Sequence, residues 1–554
     1  MDQKTGGELL VEALERHGAD RVFCVPGESY LAVLDALHDA DIPVTVCRQE
    51  GGAAMMADAH GKLTGKPGIC MVTRGPGATN ASAGVHVAAQ DSTPMILFIG
   101  QIERGMRERE AFQEIDYRQM FGGIAKWVAE IDHADRVPEF ISRAFHVATS
   151  GRPGPVVLAL PEDMLVERAA AEQPPAWTQV ETYPGLTQMA DLQKRLWAAE
   201  RPVAILGGSR WSEQAVAGFT RFAERFELPV ACSFRRQMLF DNLHPNYAGD
   251  VGIGINPELL SRIKGSDLIL LVGGRLSEMP SQSYALLDIP SPSQQLVHVH
   301  PDAEELGRVY RPALAIHASP TAFCKAAEGL QPPAALKGAG AAAKAHHAYL
   351  DWSGARPQTP GDLQMAGVMD WLEAHLPEDA ICTNGAGNYA TWLHRFHRFR
   401  RYGTQAAPIS GSMGYGLPAA IAAKLAFPER EVVCFAGDGC LQMTMQEFGT
   451  ACQNGANIIV LAIDNGMYGT IRMHQERHYP GRPSATDLVN PDFAAFAKNY
   501  GAFGETVART EDFGPAFERA RAAGTPSLLH LKLDPEAITP AASLSQIRAA
   551  AEAK

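Results

Sequence analysis

The stretch Gly437-Asp438-Gly439-Cys440-Leu441-Gln442, answered by Asp464-Asn465-Gly466-Met467-Tyr468-Gly469, decides how the chain folds. An apolar run, Val432-Val433-Cys434-Phe435-Ala436, leads into the first part and has the composition of a buried strand. A helical segment over 443–454 follows, and a second apolar run over 458–463 ends at Asp464-Asn465. Strand, turn, helix and strand in that order bring both polar turns to one edge of a parallel sheet, where ligands of such sheets bind. Asp438 and Asn465 offer hard oxygen donors, and Gly437 and Gly439 let backbone approach a phosphate closely. The combination suits a Mg2+–diphosphate site.

Outward from this stretch, short apolar runs alternate with helical patterns along the 554 residues. Candidate strands lie at 22–25, 44–47, 69–73, 95–99 and 156–160, then at 203–206, 229–233, 267–272 and 296–300. A third set lies at 380–383, 432–436, 458–463 and 527–533. The alternation predicts an α/β protein of three doubly wound parallel-sheet domains, over 1–167, 185–330 and 360–534. Residues 169–184, rich in Ala, Pro and Gln, read as a linker, and 331–347 as a loose helix or a tether. The tail over 535–554 has helical character but no obvious core face.

Composition narrows the class. A hydrophobic content of 46% with 20% charged residues is that of a globular chain able to bury several cores. The net charge of −13 argues against broad nucleic-acid binding, which needs concentrated Lys and Arg. No apolar run approaches the ~20 residues of a membrane span, and the N-terminus lacks a signal-peptide core. Nine scattered cysteines without a C-x-x-C pair read as buried thiols in a reducing compartment. A cytoplasmic protein is expected.

Other stretches carry chemistry less specifically. Glu50 follows a strand candidate and opens a helix of small residues. Its carboxylate either favours the positive helix start or acts as a general acid/base at the sheet edge. Thr73-Arg74-Gly75-Pro76-Gly77-Ala78-Thr79-Asn80 is either an anion-binding turn or an ordinary connection. Ala111-Phe112-Gln113-Glu114 alone reads as exposed loop or helix, and Ser410 to Pro418 gathers glycines around Met413. Neither Gly208-Ser209-Arg210 nor the segment 249–254 completes G-x-G-x-x-G, so a nicotinamide dinucleotide is not expected. His298, His300, His394 and His397 have no Cys or Glu at metal spacing and read as core or solvated histidines.

Together these motifs resemble the thiamine diphosphate-dependent 2-oxo acid decarboxylase and carboligase superfamily, most closely its acetolactate synthase large-subunit branch, over about residues 6–533. Asp438 and Asn465 stand 27 positions apart, as in that family's signature, with Asp464 in place of the first Asn of the usual pair. The resemblance implies that Asp438, Asn465 and the Met467 carbonyl hold Mg2+. It implies that Gly437, Gly439 and Cys440 approach the diphosphate through backbone, that Gly387 and Asn388 close over it, and that Met413 wedges the cofactor into a bent shape. Glu50 matches the glutamate that hydrogen-bonds the aminopyrimidine and activates the thiazolium carbon. In the family that glutamate serves a cofactor on the other subunit, which implies a homodimer at minimum and commonly a homotetramer.

Phe112 and Gln113 match the Phe-Gln pair of the synthase substrate pocket. The activity implied is decarboxylation of a 2-oxo acid, with pyruvate expected, and ligation of the fragment to a second carbonyl. Two positions depart from the synthases: Glu28 where a glycine is usual, and His474 where a tryptophan is usual. Glu28 either caps the following helix or hands over a proton. The second role implies a 2-oxo acid decarboxylase or an acyloin lyase, similar to benzoylformate decarboxylase or benzaldehyde lyase. FAD is a further candidate cofactor, since Gly207-Gly208 and Gly273-Gly274-Arg275 are turns compatible with it, and an FAD-dependent oxidase is the third alternative.

Overall fold

The computed structural model describes residues 3–553. Each block forms a six-stranded sheet whose neighbouring strands are all parallel. The first sheet runs Val44–Val46, Val22–Cys24, Gly68–Val72, Met95–Gln101, Pro155–Pro161, Trp127–Glu130. The third runs Gln405–Ala406, Ile381–Asn384, Val432–Gly437, Ile459–Asp464, Ser527–Lys532, Phe503–Val507. Counted along the chain within each sheet, both have the order 2-1-3-4-6-5. The central sheet has the order 3-2-1-4-5-6, from Tyr247–Val251 at one edge to Leu314–His317 at the other. Central strands such as Met95–Gln101 and Val432–Gly437 are buried at every position, which accounts for their unbroken apolar runs.

Five strands of these three sheets were not expected, Trp127–Glu130, Tyr247–Val251, Leu314–His317, Gln405–Ala406 and Phe503–Val507, nor was the small antiparallel pair of Lys4–Thr5 with Arg168–Ala169. Every one is an edge strand. An edge strand has a neighbour on one side only, and its pattern is shorter or more broken than that of a central strand. The expected helix over 443–454 is interrupted: a helix at Asp438–Gln442, a 3-10 turn at Met445–Glu447 and a helix at Phe448–Gln453. The Thr444 hydroxyl donates to the Gly414 carbonyl at 2.6 Å, which pins the break.

The helix Glu50–Thr64 is buried on almost every face. Its small residues let neighbours approach closely, as where a Cβ on Gly84 would sit 2.4 Å from Ala54 Cβ. One apolar cluster holds Ala53, Ala57 and Val85 of the first block together with Leu417, Ala420 and Ile421 of the helix Gly416–Ala426. The first and third sheets therefore share a core, whereas the central sheet packs separate clusters of its own.

The structure chooses helix for part of the second linker and gives the tail a core face that was not expected. Residues 341–354, in and beyond the second linker, form a helix, Ala341–Gly354, with Ala345 and Tyr349 buried against the central sheet. The tail forms the helix Leu544–Glu552, started by a Ser543 capping box, and does have a core face. Leu544 and Ile547 pack on Met467, Met473 and Ile538. With two buried apolar residues in nine, that face was too thin to read from periodicity.

Candidate active site

The third sheet changes winding direction between Ile381–Asn384 and Val432–Gly437, and a cavity of about 260 Å3 opens at that point. Gly387, Asn388, Met413, Gly437, Asp438, Gly439, Cys440, Asn465 and Met467 all line it. Asp438 is the first residue of the helix that follows the strand, and it is buried. The Asn490 amide donates to Asp438 Oδ2 and to Asp464 Oδ1, at 2.7 Å each. Burial raises the Asp438 carboxyl above its ordinary range, the Asn490 and Gly439 N–H groups oppose the rise, and Asp464 adds to it. Among the described residues no Lys or Arg pairs with Asp438. A buried carboxylate short of positive charge is what a divalent cation neutralises.

Asp464 answers differently. Against the rise that burial alone would cause, His530 and Lys532 hold it well below the carboxylate range. Its Oδ2 accepts from His530 Nε2 at 2.8 Å and from Lys532 Nζ at 2.7 Å, both on the adjacent strand. That arrangement turns Asp464 toward the sheet and leaves Asn465 at the cavity. The turn beyond is stitched down by Tyr468 N to Thr486 O and Leu488 N to Gly466 O, both 2.8 Å. Among the described residues no three His, Cys, Asp or Glu side chains gather as a metal site. Asp438, Asn465 and the Met467 carbonyl offer one carboxylate, one amide and one backbone carbonyl, an all-oxygen set that suits Mg2+.

The cradle is built on glycine. A Cβ on Gly437 would meet the Tyr389 ring at 2.7 Å, and one on Gly439 the Tyr468 ring at 2.7 Å. Tyr389 also donates to Cys440 Sγ at 3.2 Å and accepts from Gly385 N at 3.1 Å, while Gly414 N donates to the same sulfur at 3.2 Å. Cys440 thereby ties three cavity turns together. Asn388 is fixed by Thr470, whose hydroxyl donates to Asn388 Oδ1 at 3.0 Å.

The remaining expected residues divide. Glu50 begins its helix after Gln49, whose side chain accepts from Gly52 N at 3.2 Å, and Asn80 Nδ2 donates to Glu50 Oε2 at 2.9 Å. The loop 73–77 gathers the others around it. A Cβ on Gly77 would lie 3.4 Å from Glu50 Oε1, one on Gly75 2.7 Å from Gln113 Cβ, and one on Gly27, beside Glu28, 2.4 Å from Thr73 Cβ. Gln113 takes a left-handed backbone, with φ of 66°, and Phe112 is exposed. Glu28 opens the 3-10 turn Glu28–Tyr30, and among the described residues it accepts no capping hydrogen bond. His474 is exposed on the helix Gly469–His478, whose first residues, Gly469, Thr470 and Ile471, line the cavity. Burial, Arg477 and His478 push its pKa down.

Neither Glu28, Glu50, Gln113 nor His474 lines the Asp438 cavity of the same chain. Sequence reasoning singled out the stretch ending at Asn80 without giving Asn80 a role, and it missed Tyr389, Thr470 and Asn490, which lie in loops or at helix starts and have no spacing signal of their own. The four histidines are core or half-buried: His298 contacts the Gly274 carbonyl and His394 the Gln237 side chain. All nine cysteines are free and eight are buried. No helix among the described residues is long and apolar enough to cross a membrane.

This two-sheet geometry coincides with known family boundaries. The chain matches the thiamine pyrophosphate enzyme N-terminal TPP binding domain over residues 4–120, the central domain over 189–327 and the C-terminal TPP binding domain over 385–531. It belongs to the thiamine pyrophosphate enzymes, and the Asp438 cavity lies within the C-terminal match. Within that class it is 30% identical over 538 residues to the acetolactate synthase isozyme 2 large subunit of Escherichia coli K12, spanning 96% of this chain and 95% of that protein. It is 31% identical to an acetolactate synthase of Mycobacterium bovis, over 94% of this chain and 87% of that protein. The Haemophilus influenzae acetolactate synthase large subunit is 28% identical, over 94% and 92%.

Proposed function

We propose that the protein is an acetolactate synthase-like carboligase that decarboxylates a 2-oxo acid, with pyruvate as donor, and ligates the fragment to a second carbonyl. The observation that carries this is the glycine-cradled cavity that joins Asp438, Asn465 and Met467 inside the matched C-terminal domain. When bound there, thiamine diphosphate would supply a thiazolium carbon nucleophile and an electron sink for the pair left on the fragment as carbon dioxide departs. Asp438, Asn465 and the Met467 carbonyl would hold Mg2+ against the diphosphate, with the Gly439, Cys440, Gly387 and Asn388 backbone around it. Met413, backed by the apolar cluster of the third sheet, supplies the wedge. Glu50 would hold the proton that activates the aminopyrimidine, with Oε1 left for it because Asn80 engages Oε2.

In this proposal Glu50 serves the cavity of a second copy, because Glu28, Glu50 and Gln113 cluster away from the cavity of their own chain. Exposed apolar side chains support such contact on both faces: Leu31 and Phe112 beside the first group, Met443 and Ile471 beside the cavity. A homodimer is the minimum unit, and a homotetramer is two of them. The buried free thiols suit a cytoplasmic setting.

The central sheet supports FAD as a further ligand. Its switch point, with Gly208, Gly273 and Gly274, is lined by Arg152 and Arg275, and it shares Gly208 and Ser209 with a neighbouring cavity of about 400 Å3 lined by Arg210 and Arg236. Burial, with Arg152 adding, pushes Arg275 down to about 10. Arg210 Nε, Arg210 Nη1 and Arg236 Nη1 are buried without acceptors among the described residues. Such crowded cations fit a phosphate-bearing dinucleotide. Purified protein that is yellow and releases flavin on denaturation would bear this out, and colourless protein with full activity would end it.

Glu28 favours a second reading. An exposed carboxyl group without a hydrogen-bond partner among the described residues, beside the Thr73 loop, can pick up a proton from water and hand it on, which suits a 2-oxo acid decarboxylase or an acyloin lyase. Incubation with pyruvate, thiamine diphosphate and Mg2+, with acetolactate, acetaldehyde and acetoin quantified, separates the two. Acetolactate as main product is expected, and acetaldehyde alone would overturn the carboligase assignment.

A further inference from the structure

Glu447 stands on the 3-10 turn Met445–Glu447 of the third block, and its side chain is fully buried. Both of its carboxylate oxygens reach the first block. Glu447 Oε1 accepts from Gln49 N at 2.9 Å, and both carboxylate oxygens lie 3.2 Å from Arg48 N. Oε2 also accepts from the Thr450 hydroxyl at 2.7 Å. Arg48 and Gln49 are the two residues before Glu50, and Gln49 caps the helix that Glu50 begins. A carboxylate at that end of the helix also meets the positive end of its dipole.

The approach is close enough to demand glycine. A Cβ on Gly52 would fall 2.5 Å from Glu447 Oε1. The Arg48 guanidinium adds a second hold, donating to Gln453 Oε1 at 2.7 Å and to the Gly449 carbonyl at 3.4 Å. Glu447 is itself held from the cavity side. Glu447 N donates to the Thr444 carbonyl at 2.9 Å, and the Thr444 hydroxyl donates to the carbonyl of Gly414, beside Met413. The strand-to-helix corner that aims Glu50 is thus set by the diphosphate-binding block of the same chain.

We propose that Glu447 is a positioning residue for Glu50, fixing the backbone of Arg48 and Gln49 so that Glu50 reaches the aminopyrimidine of the cofactor held by a second copy. This rests on the role given to Glu50 above. Catalytic reach is sensitive to such a fix, because a misplacement on the order of 1 Å can cost roughly a hundredfold in rate. A glutamine at 447 keeps one carbonyl acceptor but turns an NH2 group toward backbone N–H donors that need an oxygen.

The test uses full-length protein. In the cofactor-free state, Glu447→Gln is expected to speed hydrogen exchange at the Arg48 and Gln49 amides. Loaded with thiamine diphosphate and Mg2+, it is expected to slow deuterium exchange at the cofactor's thiazolium C2 by roughly tenfold to a hundredfold, with the cofactor Kd within about threefold. Gly52→Ala leaves the carboxylate intact but displaces it, and it is expected to act in the same direction, so the test survives if Glu447→Gln folds poorly. In a Glu50→Gln background, Glu447→Gln is expected to slow C2 exchange no further. Unchanged C2 exchange in both Glu447→Gln and Gly52→Ala would overturn the proposal, as would an equal further loss in the Glu50→Gln background. If Glu50→Gln alone left C2 exchange at full rate, the role of Glu50 itself would fall, an outcome distinct from slow exchange in Glu50→Gln with normal exchange in Glu447→Gln.

Discussion

At Lys62 an ammonium group 2% exposed lies between the carboxylates of Asp58 and Asp91, both fully buried. It also donates to the Tyr415 hydroxyl at 3.0 Å and to the Ala407 carbonyl at 3.2 Å. Tyr415 in turn donates to Asp58 at 2.6 Å, and Asp91 accepts from Ser410 N at 3.2 Å. Three charges of the first block therefore anchor the turn that carries Met413 to the cavity. Burial, with Asp91 adding and Lys62 opposing, keeps Asp58 above the ordinary carboxylate range. Removing the ammonium strands two buried acids, so Lys62→Met is expected to destabilise by roughly 3–5 kcal/mol. A thermal midpoint equal to that of the unaltered protein would show the cluster to be neutral. Nothing local announces it, since an Asp and a Lys four apart on a helix ordinarily form a solvated surface pair. Their burial comes from the helix Gly416–Ala426, far along the chain. Asp438 and Asn465 were legible because strand, turn, helix and strand are contiguous in sequence. Asn490, which links Asp438 to Asp464, was not, since only the folded loop brings it there.

The helix Gly469–His478 walls the cavity with its first turn and is clamped from behind by the C-terminal helix Leu544–Glu552. The clamp centres on Glu476, which is fully buried and accepts from Arg548 Nε and Nη2 at 2.7 Å each. Arg548, then Gly481 N and Arg472, draw its carboxyl down to about 2 against the opposing effect of burial. A carboxyl lowered on folding adds stability that is complete above its unfolded value, near 4.5, and fades as pH falls toward about 2. Glu476→Gln is therefore expected to lower the thermal midpoint near neutral pH and to flatten its decline on acidification. Parallel midpoint-against-pH curves for the two proteins would refute that. The clamp also marks where element-level reading ran out. Central strands declared themselves by unbroken apolar runs, whereas the tail helix and the five edge strands, each with a thin or single-sided apolar face, became visible only through their partners.

For the whole molecule, the decisive arrangement is two sheets of identical order, to which the proposed function gives complementary halves of a site. In the proposed dimer each cavity is completed by Glu50 of the other copy. Mixing Glu50→Gln protein with Asp438→Ala protein, each inactive alone, is then expected to restore roughly a quarter of normal activity, since half of randomly exchanged dimers are mixed and each mixed dimer keeps one intact site. No activity after verified subunit exchange would place Glu50 and the cavity in the same chain. The sequence pattern foretold three sheets of one class. It could not foretell that the first and third share a core, because the small residues of Glu50–Thr64 carry no address for their partner.

That shared core has a consequence for synthesis. The Ala- and Gly-rich face of Glu50–Thr64 waits for Gly416–Ala426, which leaves the ribosome roughly 20 to 70 s later at ordinary elongation rates. Through that interval the nascent chain presents an unpaired helical surface, while the central sheet, with its own clusters, can close. The order of completion is therefore middle first and ends last. The corner that aims Glu50 is set only when the final third of the polypeptide arrives.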